Sequence, residues 1–539
     1  MSAAVEEGQL FEAEAEDADV RAQAPERASA QHKTFRPYAP DQVLLMAPVL
    51  QEWVPEGDLA HFVSDLVDSA LDLGPIYADY EDERGYPPYD PRLMLKLLIY
   101  GYASGVVSSR KLEAATHRDV AVRMLCADQH PDYRSIARFR ARHLEALAEL
   151  FVQALRLCAK ARLVGLGTLA LDGTKLRANA SRHKAMSYAR MVRAEAQLRS
   201  EIDALRERVG ALLADAEAID RAEDERFGCD RRGDELPAEL QRREGRLEAI
   251  REAKEALEAE ATEAERARRS ELEAQGKKPR RPPDGRDPFK PKPKAQRNFT
   301  DPDSKIMKTS DGAYHQCFNG QAVVDSSTQV IVAAELSAEA PDQRQLRPAL
   351  DQLSENLELV GDELPDEAVL LADAGYFSED NVQITSGHGL DPHIATGRFK
   401  HSEPQAPPGP GPLQKGATPK QRMARKLKTE RGRTAYARRK TIVEPVFGQM
   451  QTVQAARQLL LRGERAARCQ WRFNCAVHNL LKLHRAGGLS LVAGTWTRAG
   501  RRSPSPPPRE PPPAPGCDHR AMIELPGAAS RSSAPRRSR

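Results

Sequence analysis

The sequence predicts an α/β chain in three parts: an all-α N-terminal domain, a mixed strand-and-helix domain, and a helical coiled-coil hairpin inserted into the latter. Three observations predict it. Capped segments of helical period fill residues from about 40 to 165. Short apolar runs of strand type, Leu169 to Leu171 and Val369 to Leu371, stop at aspartates with glycine close by. Between them Leu198, Ile202, Leu205, Val209, Leu212, Ala216 and Ile219 alternate steps of four and three, the spacing of a heptad seam.

The 539 residues suffice for roughly two to four domains. Basic and acidic residues number 81 and 78, a near-balance that hides segregation into acidic and basic blocks. The seven cysteines show no CxxC or paired metal spacing, which argues against a disulfide framework or zinc site. The acidic start lacks the basic and apolar regions of a signal peptide, and no apolar run reaches about 18 residues. A cytoplasmic protein with no membrane partner is expected.

Residues 1–35 are Ala- and Glu-rich, with disorder expected. The N-terminal domain is placed at 36–165. Pro91 opens a helix that Gly101 and Gly105 loosen, and Ser108 or Ser109 caps the next. A further helix carries Arg134, Arg138, Arg140 and Arg142. Its spacing fits a DNA-binding module and an ordinary helical bundle alike.

The second domain is placed at 166–485. Its insertion, at about 188–270, pairs the seam above with Leu240, Leu247, Ile250 and Leu257, as an antiparallel hairpin or a dimerisation helix. Residues 277–299 read as a Pro-rich basic linker. A hairpin follows with its turn near Asp325 to Thr328, then the Val369 strand, then a short strand in DPHIATG. Residues 420–440 hold ten Lys or Arg against one acid, Glu430. Trp471 and Phe473 read as core of a closing helix, and 486–539 as a disordered Arg-, Pro- and Ser-rich tail. His315, His388 and His393 read as polar loop residues without zinc spacing.

Asp172 and Asp373 stand at the ends of their strand runs, where carboxylates of an α/β sheet face the ligand crevice. Each alone is more often a turn or cap than a catalytic ligand. Glu444, just before Pro445, lies three residues after Thr441, which also makes a capping box. Lys175 and Asn179 either touch a ligand or shape the turn after Asp172.

Three blocks, LALDGTKLRANAS, LLADAGYFSEDN and YARRKTIVEPVFGQM, resemble in order the signatures of bacterial insertion-sequence DDE transposases, most similarly insertion-sequence family 1182. The resemblance spans roughly residues 36 to 485. It implies a ribonuclease-H-like catalytic domain in which an insertion after the first strand is common. It implies Asp172, Asp373 and Glu444 as catalytic residues and ligands of two Mg²⁺ ions, with Mn²⁺ as a substitute. Hard divalent cations take such oxygen donors, and two of them can clamp both oxygens of a phosphoryl transfer. DNA is the implied partner, as terminal inverted repeats and target, with a homo-oligomer on paired ends. Tyr436, Arg439 and Glu444 approximate the family's Tyr–Arg–Glu–Lys set, and Arg438, Arg439 and Lys440 would hold phosphates. On the N-terminal domain Arg138 and Arg142 are the DNA-binding candidates. Where the family places Lys, seven residues after Glu444, this chain has Gln451; Arg457 is one possible replacement. A degenerate DNA-binding protein and a ribonuclease-H-like nuclease without strand transfer are the competing readings.

Overall fold

The computed structural model describes residues 49–80, 88–181, 184–204, 206–207, 238–274, 276–280, 282, 285–397 and 416–493. The chain divides into two units, Met1–Trp53 and Val54–Arg539. The described part of the first is a 3-10 turn, Leu50–Trp53. The expected disorder of 1–35, and most of the expected tail, lie outside the described residues.

Among the described residues of the second unit the first helices are α1 (Leu59–Ser69), α2 (Gly74–Tyr77), α3 (Pro91–Ala103), α4 (Ser109–Arg118), α5 (Val120–Leu125), α6 (Tyr133–Arg142) and α7 (Leu144–Lys160). Aspartates start several of them. Asp58, Asp90 and Asp132 accept the first free N–H groups of α1, α3 and α6, and Pro91 fills the first position of α3, where its missing donor is harmless. Gly101 does not loosen α3, which continues to Ala103. A Cβ there would lie 2.4 Å from Leu112, so this glycine lets α4 approach. Gly105 supplies the positive φ (79°) of the following turn.

The sheet is mixed. Its strands are β1 (Thr168–Arg177), β4 (Lys305–Lys308), β5 (Tyr314–Asp325), β6 (Ile331–Ser337), β7 (Val369–Ala372) and β8 (Asp391–Ile394). β5 pairs antiparallel with β1 on one side and with β4 and β6 on the other, while β7 and β8 continue parallel to β1. The expected end of the first strand at Asp172 is corrected. β1 runs five residues further, because its antiparallel ladder with β5 persists to the pair Arg177 and Cys317. The outer edge of β6 is covered: Asn479 exchanges both amide bonds with Ile331, Gln352 accepts from Ala334 N–H, and Asn356 donates to Val332.

Between β1 and β4 lies the insertion. Its foot is a ribbon of β2 (Ala185–Ser187) with β3 (Gln296–Asn298), so the end of the expected linker is a paired strand. Above it, helical residues 188–204 (α8) and α9 (Ala238–Ala274) run antiparallel, as the ion pairs Lys254–Glu195 (2.9 Å) and Arg206–Glu244 (2.6 Å) require. Leu198 and Ile202 pack with Leu247, Ile250, Ala253 and Leu257. Leu205, Val209, Leu212, Ala216, Ile219 and the Leu240 side chain lie outside the described residues.

The remaining helices are α10 (Leu346–Val360), α11 (Glu379–Gly387), α12 (Pro419–Lys428), α13 (Glu430–Ala437), α14 (Arg439–Thr452), α15 (Glu464–Ala486) and α16 (Ser490–Ala493). α15 lies between α7 and the sheet. Its Trp471 is fully buried, donates to the Gln321 carbonyl at 3.0 Å, and presses on Gly320, where a Cβ would meet the indole at 3.1 Å. Phe473 meets Tyr102 of α3 edge-on, with centroids 4.9 Å apart. One apolar cluster thus includes Leu98, Phe151, Val323, Leu370 and Trp471. The change near residue 165 is a change of element type inside a shared core. Of the three histidines expected in loops, His315 lies on β5 and His393 is buried on β8, so only His388, at the end of α11, fits that expectation.

Candidate functional site

Strand register puts two of the expected acids side by side. Ala372, the last residue of β7, pairs with Leu171 of parallel β1. The next residues are Asp373 and Asp172, and neighbouring strands lie only about 5 Å apart. β7 ends there, and Asp373 caps a 3-10 turn, Ala374–Tyr376, by accepting from Gly375 N–H at 2.8 Å. Asp172 accepts from Gly173 N–H at 2.8 Å and from the Arg439 guanidinium at 2.7 Å.

Arg439 opens α14 and is itself buried. Burial raises the Asp172 carboxyl above its ordinary range; Arg439 and Gly173 pull it back, and nearby Asp373 adds to the rise. Burial works against the Arg439 charge, yet Asp172, Tyr436 and Asp373 hold it above its ordinary value. Burial also raises the Tyr436 phenol, in the same group.

Glu444 sits on α14, exposed, and makes no ion pair with a described residue. The expected capping box is corrected: α14 begins before Thr441, whose hydroxyl donates to the Arg438 carbonyl instead. Pro445 lies inside the helix, where it cannot donate to the Thr441 carbonyl; Gln329 Nε2 does so at 3.0 Å. The helix thereby passes its proline unbroken. Gln451, two turns after Glu444 on the same stripe, donates to Thr174 Oγ1 at 2.9 Å. Thr174 shares a strand face with Asp172, so the Glu444 stripe of α14 runs along the acid-bearing face of β1. Among the described residues no three His, Cys, Asp or Glu side chains converge as a preformed metal cluster.

The other expected residues are dispersed. Arg438 and Lys440 are exposed beside Arg439. On α6, Arg138 faces solvent, whereas Arg142 donates to the Asp79 carbonyl and stacks 4.7 Å over Tyr80. Asn179 donates to the Leu460 carbonyl at 2.7 Å, so it shapes the chain. Lys175 pairs with Asp342 at 2.9 Å. Asp342, Asn319 and Gln321, close under the two acids, belong to no motif. Their one sequence signal is a pair of amides in the otherwise apolar strand FNGQAVV.

Residues 48–142 match the family described as transposase domain (DUF772), and residues 289–480 match the transposase DDE domain. The second match includes Asp373 and Glu444; Asp172 falls between the two. No curated protein and no solved structure matches the chain significantly. A DDE domain implies the ribonuclease-H-like α/β fold, and the chain is mixed α/β with a helical N-terminal region. Among the described residues no helix is long and apolar enough to cross a membrane.

Proposed function

From a chain that carries transposase domains, of the DDE type in its C-terminal part, we propose a specific activity: Mg²⁺-dependent cleavage and strand transfer at the ends of an insertion sequence, most similar to family 1182. The observation that carries it is the register Leu171 with Ala372, which delivers Asp172 and Asp373 to one point of the sheet. Asp172, Asp373 and Glu444 would hold two metal ions. The residues suit them: the donors are hard carboxylate oxygens, and a guanidinium rests where Asp172 would meet a cation. When bound, the ions supply charge stabilisation for the attacking and leaving oxygens of phosphoryl transfer.

The chain's own groups do the rest. Asp172, kept from full solvation, gains most from a cation. Arg439 exchanges its carboxylate for a DNA phosphate, and Tyr436, Arg438 and Lys440 border the same path as sequence-independent contacts. Arg138 and Arg142 contact the ends from the N-terminal domain, where binding frees Arg142 from Asp79. The paired helices 188–204 and Ala238–Ala274 belong to a coiled-coil insertion, and the active form is a homo-oligomer on paired ends.

The test is cleavage and joining of DNA carrying the element's ends, with Mg²⁺ or Mn²⁺. Asp172→Ala, Asp373→Ala and Glu444→Asn should bind the DNA and do neither step. Cleavage without joining would make the chain a nuclease, and end binding without either step in the wild type would make it a degenerate DNA-binding protein.

A further inference from the structure

We infer that Asp342 is a positioning residue that sets the spacing of Asp172 and Asp373 by bracing the backbone beside each, an inference that rests on the metal-site reading above. Asp342 opens the 3-10 turn leading into α10. Its Oδ1 accepts from Lys175 Nζ at 2.9 Å, Asn319 Nδ2 at 2.8 Å and Gln321 Nε2 at 3.3 Å. Gln321 in turn accepts from the hydroxyl of Tyr376, which is fully buried in the turn that displays Asp373. One carboxylate thus ties β1, β5 and the Asp373 turn together.

The two glycines beside the acids point to the same carboxylate. A Cβ on Gly173 would lie 2.5 Å from Gln321 Nε2 and 3.2 Å from Asp342 Oδ1. A Cβ on Gly375 would lie 3.0 Å from Asp373 Oδ1 and 3.5 Å from Asp342 Oδ2. The backbone next to Asp172 and next to Asp373 therefore approaches Asp342 from two sides; a side chain at 173 would collide with Gln321, and one at 375 would touch Asp342 at ordinary contact distance. Gly173 and Lys175 lie on the strand face opposite Asp172, so the brace acts from behind the site and leaves the acid-bearing face clear. Lys175 offsets the Asp342 charge, so that a carboxylate stands close to Asp373 without a net added negative charge.

The experiment is Mn²⁺ titration of the full chain, read by water proton relaxation, with thermal melting on the same samples. Wild type, Asp342→Ala, Asp342→Asn and Asp172→Asn are compared. Groups that orient metal ligands typically change affinity by about tenfold or more. Asp342→Ala should weaken Mn²⁺ binding by about that factor with only a modest drop in melting temperature, and Asp342→Asn, which keeps an acceptor for Asn319 and Gln321, should recover most of both. If Asp172→Asn loses Mn²⁺ while Asp342→Ala binds like wild type, the brace is refuted and the metal site stands. If both Asp342 variants lose melting stability in step with Mn²⁺ affinity, Asp342 is a fold residue and the inference is overturned. If Asp172→Asn binds like wild type, the metal-site reading fails and the inference falls with it.

Discussion

Replacing Arg439 with alanine should tighten metal binding while slowing the reaction. In the structure this guanidinium is ion-paired with Asp172 at 2.7 Å, with the two side chains only 11% and 22% exposed. Unit charges about 4 Å apart at an effective dielectric near 20 interact by about 4 kcal/mol. Partial exposure of Asp172 to water argues for taking about half of that. Removing the competing charge should then favour metal at the site by about 2 kcal/mol, a factor of roughly 30 in affinity. Without metal, the variant leaves a half-buried carboxylate with the Gly173 N–H as its remaining donor among the described residues. Breaking a fully buried pair costs about 3–5 kcal/mol, and the exposure here places the loss near or below the low end. The assay is paired: Mn²⁺ titration with melting temperature, then joining of end DNA. The expected result is a less stable metal-free protein, a larger stabilisation by Mn²⁺ than in wild type, and joining reduced by about 10²–10³, the usual loss of a charge-stabilising donor. Unchanged or weaker Mn²⁺ affinity together with full joining would refute the reasoning, because Arg439 would then neither compete for Asp172 nor hold phosphate.

Acid should destabilise the fold through His478. Burial above all depresses its imidazole to about 4, while its Nε2 faces the Gln329 carbonyl at 3.0 Å. The unfolded chain takes up this proton near pH 6.5 and the folded chain only near 4. Stability from this group is complete above about 6.5 and is lost as pH falls toward 4, about 3 kcal/mol in all. Urea unfolding against pH should show this slope in wild type and lose that component in His478→Gln; an identical slope in both would remove His478 as its source. At the helix stripe facing β1, Gln451→Lys should strengthen end binding and steepen its salt dependence by about one counterion. No change in the slope would mean that another cation, such as exposed Arg457, already makes the contact.

Both parts of the chain were legible where local chemistry suffices. Asp–Pro–Arg at 90–92 announces a helix start, the strand runs at 169 and 369 are short and wholly apolar, and the seam residues Leu198 and Ile202 do meet Leu247, Ile250 and Leu257. What could not be read depends on partners distant in the chain. The extension of β1 beyond Asp172 follows from its ladder with residues about 150 positions away, so an Asp–Gly pair that looks like a strand end sits within a strand. The passage of α14 through Pro445 needs the Gln329 amide, and the ion pair of Arg439 with Asp172 joins residues 267 apart. Asp342 has the appearance of an ordinary cap in PDQRQL, and its three donors arrive from two other strands.

The most direct test of the central claim is anomalous scattering from Mn²⁺ in crystals of the full chain bound to its own end DNA. The account predicts Mn²⁺ peaks held by Asp172, Asp373 and Glu444, with Arg439 turned to a phosphate. Mn²⁺ bound elsewhere, or Arg439 still paired with Asp172 while the DNA ends are engaged, would contradict it.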